Sequence, residues 1–335
     1  MRGRHSTPSP RDSIPMRDDH ALMAKAADLY YARGRTQQQI AVRLGVSRPT
    51  VSRLLSRART LGIVRIEFDT PEGTYHDLGR DLEDLYGLRE AIVVTGRSES
   101  PVATRRVLGQ AAATYLTRTL KGKERIGISW GTTLAAVIGA LRPRRLRTTV
   151  VPLVGGIGRV ASKIHANDLA RRLADLQGGD VHLLHAPAIL ARPAVRDALL
   201  SDPDIAGVLA QARGVQLALV GIGALVPSST LVQSRYFNAE DLAALKRRGA
   251  VGDICTRSFG SNGEPVDAAL DARILAVELA DIRRVPTVVA VAGGLEKADA
   301  IAGALRGRLV DVLVTDHLAA RAILRAARAV QGVAE

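Results

Sequence analysis

Cysteine is nearly absent from this chain, in which Cys255 is the single one among 335 residues. One cysteine excludes an intrachain disulfide and fits a reducing compartment. Long hydrophobic runs are absent too, because no stretch approaches the roughly 18 to 20 apolar residues of a membrane span. Residues 1–20 are basic and proline-containing and lack the apolar core of a signal peptide. We therefore expect a cytoplasmic protein without a membrane partner.

The sequence also has little that points to catalysis or to a bound metal. Its seven histidines are scattered, no side chains show the spacing of a metal site, and no nucleophile elbow occurs. The loop at 156–161 has the glycine pattern of a dinucleotide fingerprint but lacks the acidic residue expected at the end of the next strand. We expect no metal and no cofactor. The remaining alternative is an enzyme in which Asp253 or His165 acts as a general base.

Acidic residues are few relative to basic ones, with 33 against 47, which gives a formal charge of +14 and an isoelectric point of about 10.7. A strongly basic balance predicts a polyanionic partner. The excess is concentrated near the N-terminus, where residues 1–70 hold 13 basic against 6 acidic side chains.

Residues 36–59, TQQQIAVRLGVSRPTVSRLLSRAR, match the helix-turn-helix pattern in full. Its apolar positions are Ile40, Leu44, Val46, Val51 and Leu54. Ala41 is small enough for a close helix crossing, and Gly45 supplies the positive φ of the turn. Ser47 should cap the second helix, whose first turn tolerates Pro49.

The outward face of the second helix predicts how double-stranded DNA is bound. Arginine can donate two hydrogen bonds to the edge of a guanine, and serine or threonine can hydrogen-bond to a base or a phosphate. We predict a recognition helix in the major groove, with Arg57 placed for backbone phosphates. The predicted DNA-binding residues are Thr36, Gln37, Ser47, Arg48, Pro49, Thr50, Ser52, Arg53 and Arg57.

The first 70 residues divide into an arm and this domain. Residues 1–19 are polar and contain three prolines, so we expect a disordered arm. The helix-turn-helix domain should cover residues 20–70, beginning with a helix from Ala21 to about Arg33. The run at 63–68 alternates like a short strand, and it would make the domain winged or serve only as its exit.

Residues 71–89 place leucines on one helical stripe and are predicted to form a linker helix. This helix would either pair with its copy in a second subunit or pack on the domain that follows.

From residue 90 to 335, apolar runs alternate with helical stretches rich in alanine, leucine and arginine. The runs are AIVV, RIGIS, TTVVPLV, DVHLLHAP, VQLALVGIG, VPTVVAVAGG and VDVLVTD. Near-continuous apolar strands are typical of a mostly parallel sheet covered on both faces, so we predict an α/β, Rossmann-like domain. Asn262-Gly263 is a hairpin-turn signal, and we expect two antiparallel strands within residues 250–270.

Several strands should end in glycines just before a helix. These junctions are Gly131, Gly155-Gly156, Gly221 with Gly223, and Gly293-Gly294. Ligands of open α/β sheets bind beyond the carboxyl ends of the strands, so the junctions should surround one pocket. Gly131-Thr132-Thr133 offers helix-start N–H groups and two hydroxyls to a phosphate or carboxylate. Lys297, one of only six lysines, could reach an anion over the strand ends.

The motifs GISWGTTL, VVPLVGGIGR, HANDLARRLA, GAVGDICTRSFGSNGEPVD and VAGGLEKADAIAGALRG follow the helix-turn-helix in this order. Together they resemble the SorC family of sugar-binding bacterial transcriptional regulators, from about residue 21 to the C-terminus. The resemblance implies an N-terminal DNA-binding domain and a C-terminal domain that resembles sugar-phosphate isomerases in fold. It also implies a sugar or phosphorylated sugar effector and a homodimer or homotetramer.

The resemblance assigns Gly131-Thr132-Thr133 and Lys297 to the effector's phosphate or its equivalent, and other residues to the pocket wall. The predicted effector-binding residues are Ser129, Gly131, Thr132, Thr133, Gly155, Gly156, Asn167, Gly221, Asp253, Arg257 and Lys297. The segment 257–260, RSFG, departs from the family, which usually has a second aromatic and an acidic residue there.

We therefore interpret the chain as a DNA-binding transcriptional regulator, and not an enzyme. Its C-terminal domain, residues 90–335, would oligomerise and bind a sugar effector that alters operator binding. The alternative is an isomerase-like enzyme of sugar phosphates with a DNA-binding appendage.

Overall fold

The structure, a computed structural model, describes residues 16–64, 75–97, 100–156, 164–227, 229–233 and 238–330. The chain divides into two compact units, Met1–Thr70 and Pro71–Glu335. No helix within these described ranges is long and apolar enough to cross a membrane.

Among its described residues, 16–64, the N-terminal unit has three α-helices. They are α1 (Met16–Ala27), α2 (Gln37–Leu44) and α3 (Arg48–Thr60), and a π-helical turn, Asp28–Ala32, follows α1. Their shared core buries Met23, Leu29, Ile40, Val51 and Leu54. Ser47 caps α3 as predicted, since its side chain accepts the backbone N–H of Thr50, and Thr36 caps α2 in the same way by accepting the N–H of Gln39.

Two predictions for this unit differ from the structure at the start of the chain. Helix α1 begins at Met16 rather than Ala21, so the last residues of the predicted arm are helical. Its α-helical hydrogen bonding gives way to the π turn at Asp28, before the predicted end at Arg33. Residues 1–15 of the arm, and most of the predicted strand at 63–68, lie outside the described residues.

The C-terminal unit contains a seven-stranded, fully parallel sheet. Its strands are β1 (Glu90–Val94), β2 (Arg125–Ile128), β3 (Thr149–Pro152), β4 (Asp180–Val181), β5 (Leu217–Gly221), β9 (Thr287–Val291) and β10 (Val312–Asp316). The order across the sheet is β1-β10-β9-β5-β2-β3-β4. Each of the seven predicted apolar runs supplies one strand. The run DVHLLHAP supplies only the two residues of β4, which lies at the sheet edge, where short strands are common.

Helices connect the strands. They are α4 (His76–Tyr86), α5 (Pro101–Thr119), α6 (Thr132–Ala140), α7 (Ala166–Gln177), α8 (Pro193–Leu200), α9 (Pro203–Arg213), α10 (Thr230–Gln233), α11 (Ala239–Arg247), α12 (Ala268–Asp271), α13 (Leu279–Ile282), α14 (Ala298–Arg306) and α15 (His317–Val330). One face of the sheet packs on α5, α6 and α7 through Leu108, Leu134 and Leu173. The core on the other face includes Leu82 of α4, Ile301 of α14 and Ile323 of α15. The apolar strands are therefore buried on both sides, as their composition predicts.

Helix α4 is the described part of the predicted linker helix. Its Leu82 is fully buried, and its Glu83 carboxylate accepts a bond from the backbone N–H of Ala91 in β1, at 2.7 Å. Of the two alternatives for this segment, the structure shows the packing on the C-terminal domain. Pairing with a second subunit stays a prediction.

A small antiparallel sheet accompanies the large one. It joins β6 (Gly223–Ala224), β7 (Gly252–Ile254) and β8 (Arg257–Phe259). The predicted antiparallel pair is therefore present, but the turn between its two strands is Cys255-Thr256. Asn262-Gly263 lies in the next turn, which an antiparallel bridge between Phe259 and Pro265 closes. Cys255 and Thr256 both have positive φ, 52° and 66°, which is the conformation of a type I′ turn. Both side chains are buried, so tertiary packing holds a turn that these residue types do not favour locally.

Candidate functional site: a cavity at the strand ends

A cavity of about 470 Å³ opens at the carboxyl ends of the parallel strands. Residues that follow β1, β2, β5, β9 and β10 line it, together with the β7 end of the small sheet. The predicted residues that reach it are Ser129, Gly131, Thr132, Thr133, Gly221, Asp253 and Lys297. This is the position at which open α/β sheets bind ligands.

The β2 end of the cavity is the start of helix α6. Gly131 is the N-cap, with φ of 125°, and it brings no side chain to cap the helix. The first N–H groups of an α-helix have no partner within the helix and carry partial positive charge. Together with the hydroxyls of Thr132 and Thr133, which also line the cavity, they form a surface suited to an anion.

Lys297 brings an ammonium group to the β9 end of the cavity. It closes a short 3₁₀ turn, Leu295–Lys297, and its Nζ donates to the carbonyl of Ile222 at 3.0 Å. Burial lowers the pKa of Lys297, while the carboxylates of Glu296 and Asp253 oppose that shift. One bond to a carbonyl uses one of its three N–H groups, so Lys297 retains donors for a ligand.

Asp253 is the buried carboxylate of the cavity, only 5% exposed. It lies on β7 opposite Gly223, where a Cβ would come within 1.9 Å of the Asp253 Oδ1, so a larger residue would clash with the carboxylate. Burial raises the pKa of Asp253 to about 6, against the lowering effects of the Lys297 charge and of a backbone hydrogen bond from Thr256. A carboxyl group with this pKa can accept or donate hydrogen bonds near neutral pH, and both suit sugar hydroxyls.

The cavity also has lining residues that the sequence analysis did not include. They are Arg97, Thr104, Arg105, Trp130, Glu296 and Asp316, among others. Asp316 is the last residue of β10. Its carboxylate accepts N–H bonds from Leu318 and Ala319 at the start of α15, and from Gly294. The sequence signal that could have identified them is their position at strand ends: Arg97 comes shortly after β1, and Asp316 is the last residue of β10.

Gly155, Gly156 and Asn167 do not line the cavity, in contrast to the prediction. Gly155 donates its N–H to Leu275, and Gly156 donates to Ala186. The amide of Asn167 makes two bonds of 3.0 Å with the backbone of Leu184. Gly156 and Asn167 thus hold the segments after β3 and β4 together, and Gly155 ties the first of these segments to the residues that follow α12. Residues 157–163, which follow the glycines, lie outside the described residues.

Arg257 is the clearest correction among the predicted effector-binding residues. Only 3% exposed, it is absent from the cavity wall. Its guanidinium donates to the carbonyls of Val277, Asp271, Ile274 and Ala276, and forms an ion pair of 3.2 Å with Asp271. A guanidinium has five donors, and these partners use the donor set to tie the hairpin to the segment 271–277.

The N-terminal unit presents the predicted DNA-binding side chains on its surface. Exposed members are Thr36, Ser47, Arg48, Pro49, Ser52, Arg53 and Arg57, whereas Gln37 and Thr50 are half-buried. Arg53 donates to the Thr50 hydroxyl at 3.4 Å, and Arg57 pairs with Asp19 at 3.0 Å. Both contacts are at the surface, where such bonds are weak and are exchanged readily for a phosphate. Within the part of the chain that the structure describes, no group of side chains could hold a metal ion.

A helix-turn-helix unit joined to an α/β unit with a ligand cavity at its strand ends defines a class, the ligand-responsive DNA-binding proteins. Comparison with known families agrees with this class. The family described as "Putative sugar-binding domain" matches residues 72–325, and the MarR family matches residues 29–73.

Named relatives extend over nearly the whole chain. The deoxyribonucleoside regulator of Bacillus subtilis (strain 168) is 34% identical over 309 residues, which cover 92% of this chain and 98% of that protein. The sorbitol operon regulator of Klebsiella pneumoniae is 33% identical over 313 residues, covering 92% and 99%. Its full-length crystal structure has a TM-score of 0.71 over 92% of this chain and 99% of that chain, at 33% identity. The erythritol catabolism regulatory protein EryD of Brucella abortus (strain 2308) is 32% identical over 313 residues, covering 91% and 97%.

The chain belongs to the SorC family of sugar-binding transcriptional regulators, as its motifs predicted. It is a transcriptional regulator with a helix-turn-helix DNA-binding domain and a mostly parallel α/β sugar-binding domain. Its partners are DNA and a sugar effector. The relatives are named as regulators, which supports a regulator over the isomerase-like enzyme.

Proposed function

We propose that the cavity at the strand ends binds the effector and that its occupation changes the affinity of the chain for its operator. The observation that carries this proposal is the convergence of an uncapped helix start, Lys297 and buried Asp253 on one cavity. An anion-binding end and a buried carboxyl group match a phosphorylated, polyhydroxylated compound. The relatives' names mention sorbitol, erythritol and deoxyribonucleosides, which contain several hydroxyl groups or yield sugars that do.

We assign the phosphate of such an effector to Gly131 and Thr132 at the β2 end of the cavity and to Lys297, which lines the same cavity at the β9 end, and its hydroxyl groups to Asp253. The phosphate would then accept bonds from the first turn of α6 and from the lysine ammonium. Unphosphorylated sugars would make only the hydroxyl contacts and would bind more weakly.

A thermal-shift screen tests this assignment with sorbitol, erythritol, 2-deoxyribose and the monophosphate of each. A compound at one hundred times its dissociation constant stabilises the folded protein by about 2.7 kcal/mol. We expect one phosphorylated member to stabilise wild type, and Thr132→Ala and Lys297→Ala to abolish the shift. Lys246→Ala is the matched control, because Lys246 is exposed near the end of α11 and is absent from the cavity wall.

Three outcomes of the screen have different meanings. Stabilisation by unphosphorylated members alone would contradict the anion assignment and leave the cavity as the effector site. Stabilisation that survives both cavity substitutions would contradict the site itself. No stabilisation by any member would contradict the proposed class of effector.

We also propose that α3 is the recognition helix and lies in the major groove, with Arg48 and Arg53 reading base edges. Both arginines are exposed, whereas Val51 and Leu54 of the same helix are buried. A duplex selected by the wild-type protein from a random pool would supply the operator for the test. Arg48→Ala and Arg53→Ala should each lower affinity for that duplex by about 1–3 kcal/mol and relax its sequence preference. The exposed Arg325, near the end of α15, supplies the control Arg325→Ala, and equal losses there would contradict the assignment.

Finally, we propose that the chain acts in the cytoplasm as a homodimer or homotetramer formed through its α/β domains. Two recognition helices at a fixed spacing would then read two half-sites. Light scattering of the purified protein tests this, and a monomer at the concentration that saturates the operator would contradict it.

A further inference from the structure

An aromatic stack lies between the cavity and the start of the C-terminal unit. The ring of Tyr75 stacks on the imidazole of His317, with ring centroids 4.7 Å apart and an interplanar angle of 11°. The guanidinium of Arg321, one turn further along α15, lies 6.0 Å from the centroid of the Tyr75 ring. Stacked aromatic pairs and cation–π contacts are both stabilising, so the three side chains hold one another in place.

His317 connects this stack directly to the cavity wall. Its Nδ1 accepts the backbone N–H of Gly96 at 3.0 Å. The next residue, Arg97, lines the cavity, and its backbone N–H and carbonyl both bond to the hydroxyl of Thr104, another lining residue. A ligand that contacts Arg97 or Thr104 therefore acts on a backbone segment that His317 holds.

Asp316, which precedes His317 in the chain, also belongs to the cavity wall. Its carboxylate holds both the start of α15 and the N–H of Gly294, another lining residue. At Gly96 a Cβ would lie 2.7 Å from the Asp316 Oδ1, so this glycine allows the loop after β1 to lie against the carboxylate. His317 is thus fixed between two pieces of the cavity wall, and a shift in either one changes the position of its ring.

Tyr75 lies at the opposite end of this chain of contacts, at the entry to the C-terminal unit. It is the first residue that the structure describes after the boundary between the two units at Thr70 and Pro71. Its backbone N–H donates to Val93 of β1 at 3.3 Å, and its carbonyl accepts from Gly79 in α4. The Tyr75 backbone is therefore attached to the sheet and to α4, while its ring lies on His317.

We propose that Tyr75 and His317 are positioning residues that transmit occupation of the cavity to the segment leading to the DNA-binding domain. The proposal rests on the proposed function, because it requires the effector to occupy this cavity. Arg97, Gly96, His317 and Tyr75 form a continuous series of contacts, and the Tyr75–His317 stack is its last step before the domain boundary. A ligand shifts operator binding only through contacts that differ between two arrangements, and this stack supplies a contact that can differ.

The proposal predicts that the effector still binds when the stack is lost but no longer changes operator affinity, and the test measures both quantities. Wild type and Tyr75→Ala are titrated with the member of the sugar panel that stabilises wild type most, and operator affinity is measured with and without that compound. We expect wild-type operator affinity to change by about fivefold or more, within the range of allosteric couplings. In Tyr75→Ala the compound should bind within about threefold of its wild-type affinity, while operator affinity changes less than about twofold.

Three further variants distinguish coupling from simple damage. Tyr75→Phe keeps the stacked ring and should restore the wild-type response. His317→Phe keeps a ring but removes the Nδ1 acceptor, so it should lose the response. Tyr86→Ala is the matched control, because this half-buried tyrosine ends helix α4, which begins directly after Tyr75, and is absent from the cavity wall. It should respond as wild type does.

A full response in Tyr75→Ala would overturn the proposal and leave the proposed function intact. Equal loss of response in Tyr86→Ala would also overturn it, because the effect would then follow from general destabilisation. If no panel member changes the operator affinity of wild type, the proposed function fails, and the role of Tyr75 and His317 fails with it.

Discussion

At the scale of single residues, burial of the Asp253 carboxyl group raises its pKa and makes the stability of the fold depend on pH. Its pKa is about 6 in the folded protein against 3.8 for an ordinary aspartate, so the folded state holds this proton more tightly than the unfolded state. Stability from this residue is therefore greatest at low pH and falls as pH rises through the window from about 4 to 6.

The first prediction compares wild type with Asp253→Asn, whose neutral side chain does not titrate. Between pH 4 and pH 7, the unfolding free energy of wild type should fall relative to that of the variant by up to about 3 kcal/mol. Trp130 is the single tryptophan and lies in the C-terminal unit, so its fluorescence during urea unfolding reports that unit. The exposed Asp180 gives the control Asp180→Asn, and pH profiles of wild type and Asp253→Asn that run parallel would contradict the prediction.

The second prediction concerns Arg257, whose buried charge is matched by carbonyl groups and by Asp271. Arg257→Ala leaves these acceptors without their donor and should lower stability by about 3–5 kcal/mol. Arg248→Ala removes the ion pair between an exposed guanidinium and the half-buried Asp267, whose carboxylate keeps its bond from the N–H of Leu270, and should cost less than about 1 kcal/mol. Urea unfolding followed by Trp130 fluorescence compares the two, and similar losses would contradict a structural role for Arg257.

At the scale of elements, the turn between α2 and α3 determines the geometry of the DNA-binding surface. Gly45 has φ of 67°, and an added Cβ would meet nothing within 4 Å. Substitution there therefore tests backbone strain free of steric clash.

The third prediction is that Gly45→Ala destabilises the N-terminal unit by about 1–2 kcal/mol, the cost of a left-handed conformation for a residue with a Cβ. Gly139→Ala is the matched control, because Gly139 is helical and equally open but has no positive φ. That substitution should be neutral or stabilise by up to about 1 kcal/mol. Amide hydrogen exchange of peptides within residues 36–62, and within α6 for the control, measures each unit separately. No loss of protection in Gly45→Ala would contradict the role of the turn.

The strands were predictable because a parallel strand covered on both faces must be apolar along its length, as β5, β9 and β10 are. The caps of α2 and α3 were predictable because Thr36 and Ser47 act within their own turns. The hairpin turn was not predictable, since Cys255-Thr256 adopts positive φ only through burial. The π turn at Asp28–Ala32 had no signal that the sequence analysis used.

The same distinction holds within the cavity. Ser129, Gly131 and Lys297 line the cavity because each follows a strand whose end could be read from the sequence, while their contact with an effector stays a prediction. Asn167 and Arg257 were misplaced because family likeness gives the position of a residue but not the direction of its side chain. Their bonds to distant backbone carbonyls, such as that of Leu184, depend on tertiary structure.

At the scale of the whole molecule, the charge of +14 should govern binding to DNA. The fourth prediction is that operator affinity falls steeply with salt, because each neutralised phosphate releases counterions. If Arg57 binds one phosphate, Arg57→Ala should reduce the slope of log affinity against log salt concentration by about one, with little change in sequence preference. Filter binding between about 50 and 200 mM salt measures the slope. An unchanged slope would contradict the phosphate role of Arg57.

The most direct test of the whole molecule is the affinity of wild type for its selected operator, with and without the sugar or sugar phosphate that stabilises it most. We predict a change of about fivefold or more at a saturating concentration of that compound. If the compound stabilises the protein but leaves operator affinity unchanged, it binds equally well to the arrangements of the protein that hold DNA strongly and weakly. The cavity would then not regulate the DNA-binding domain.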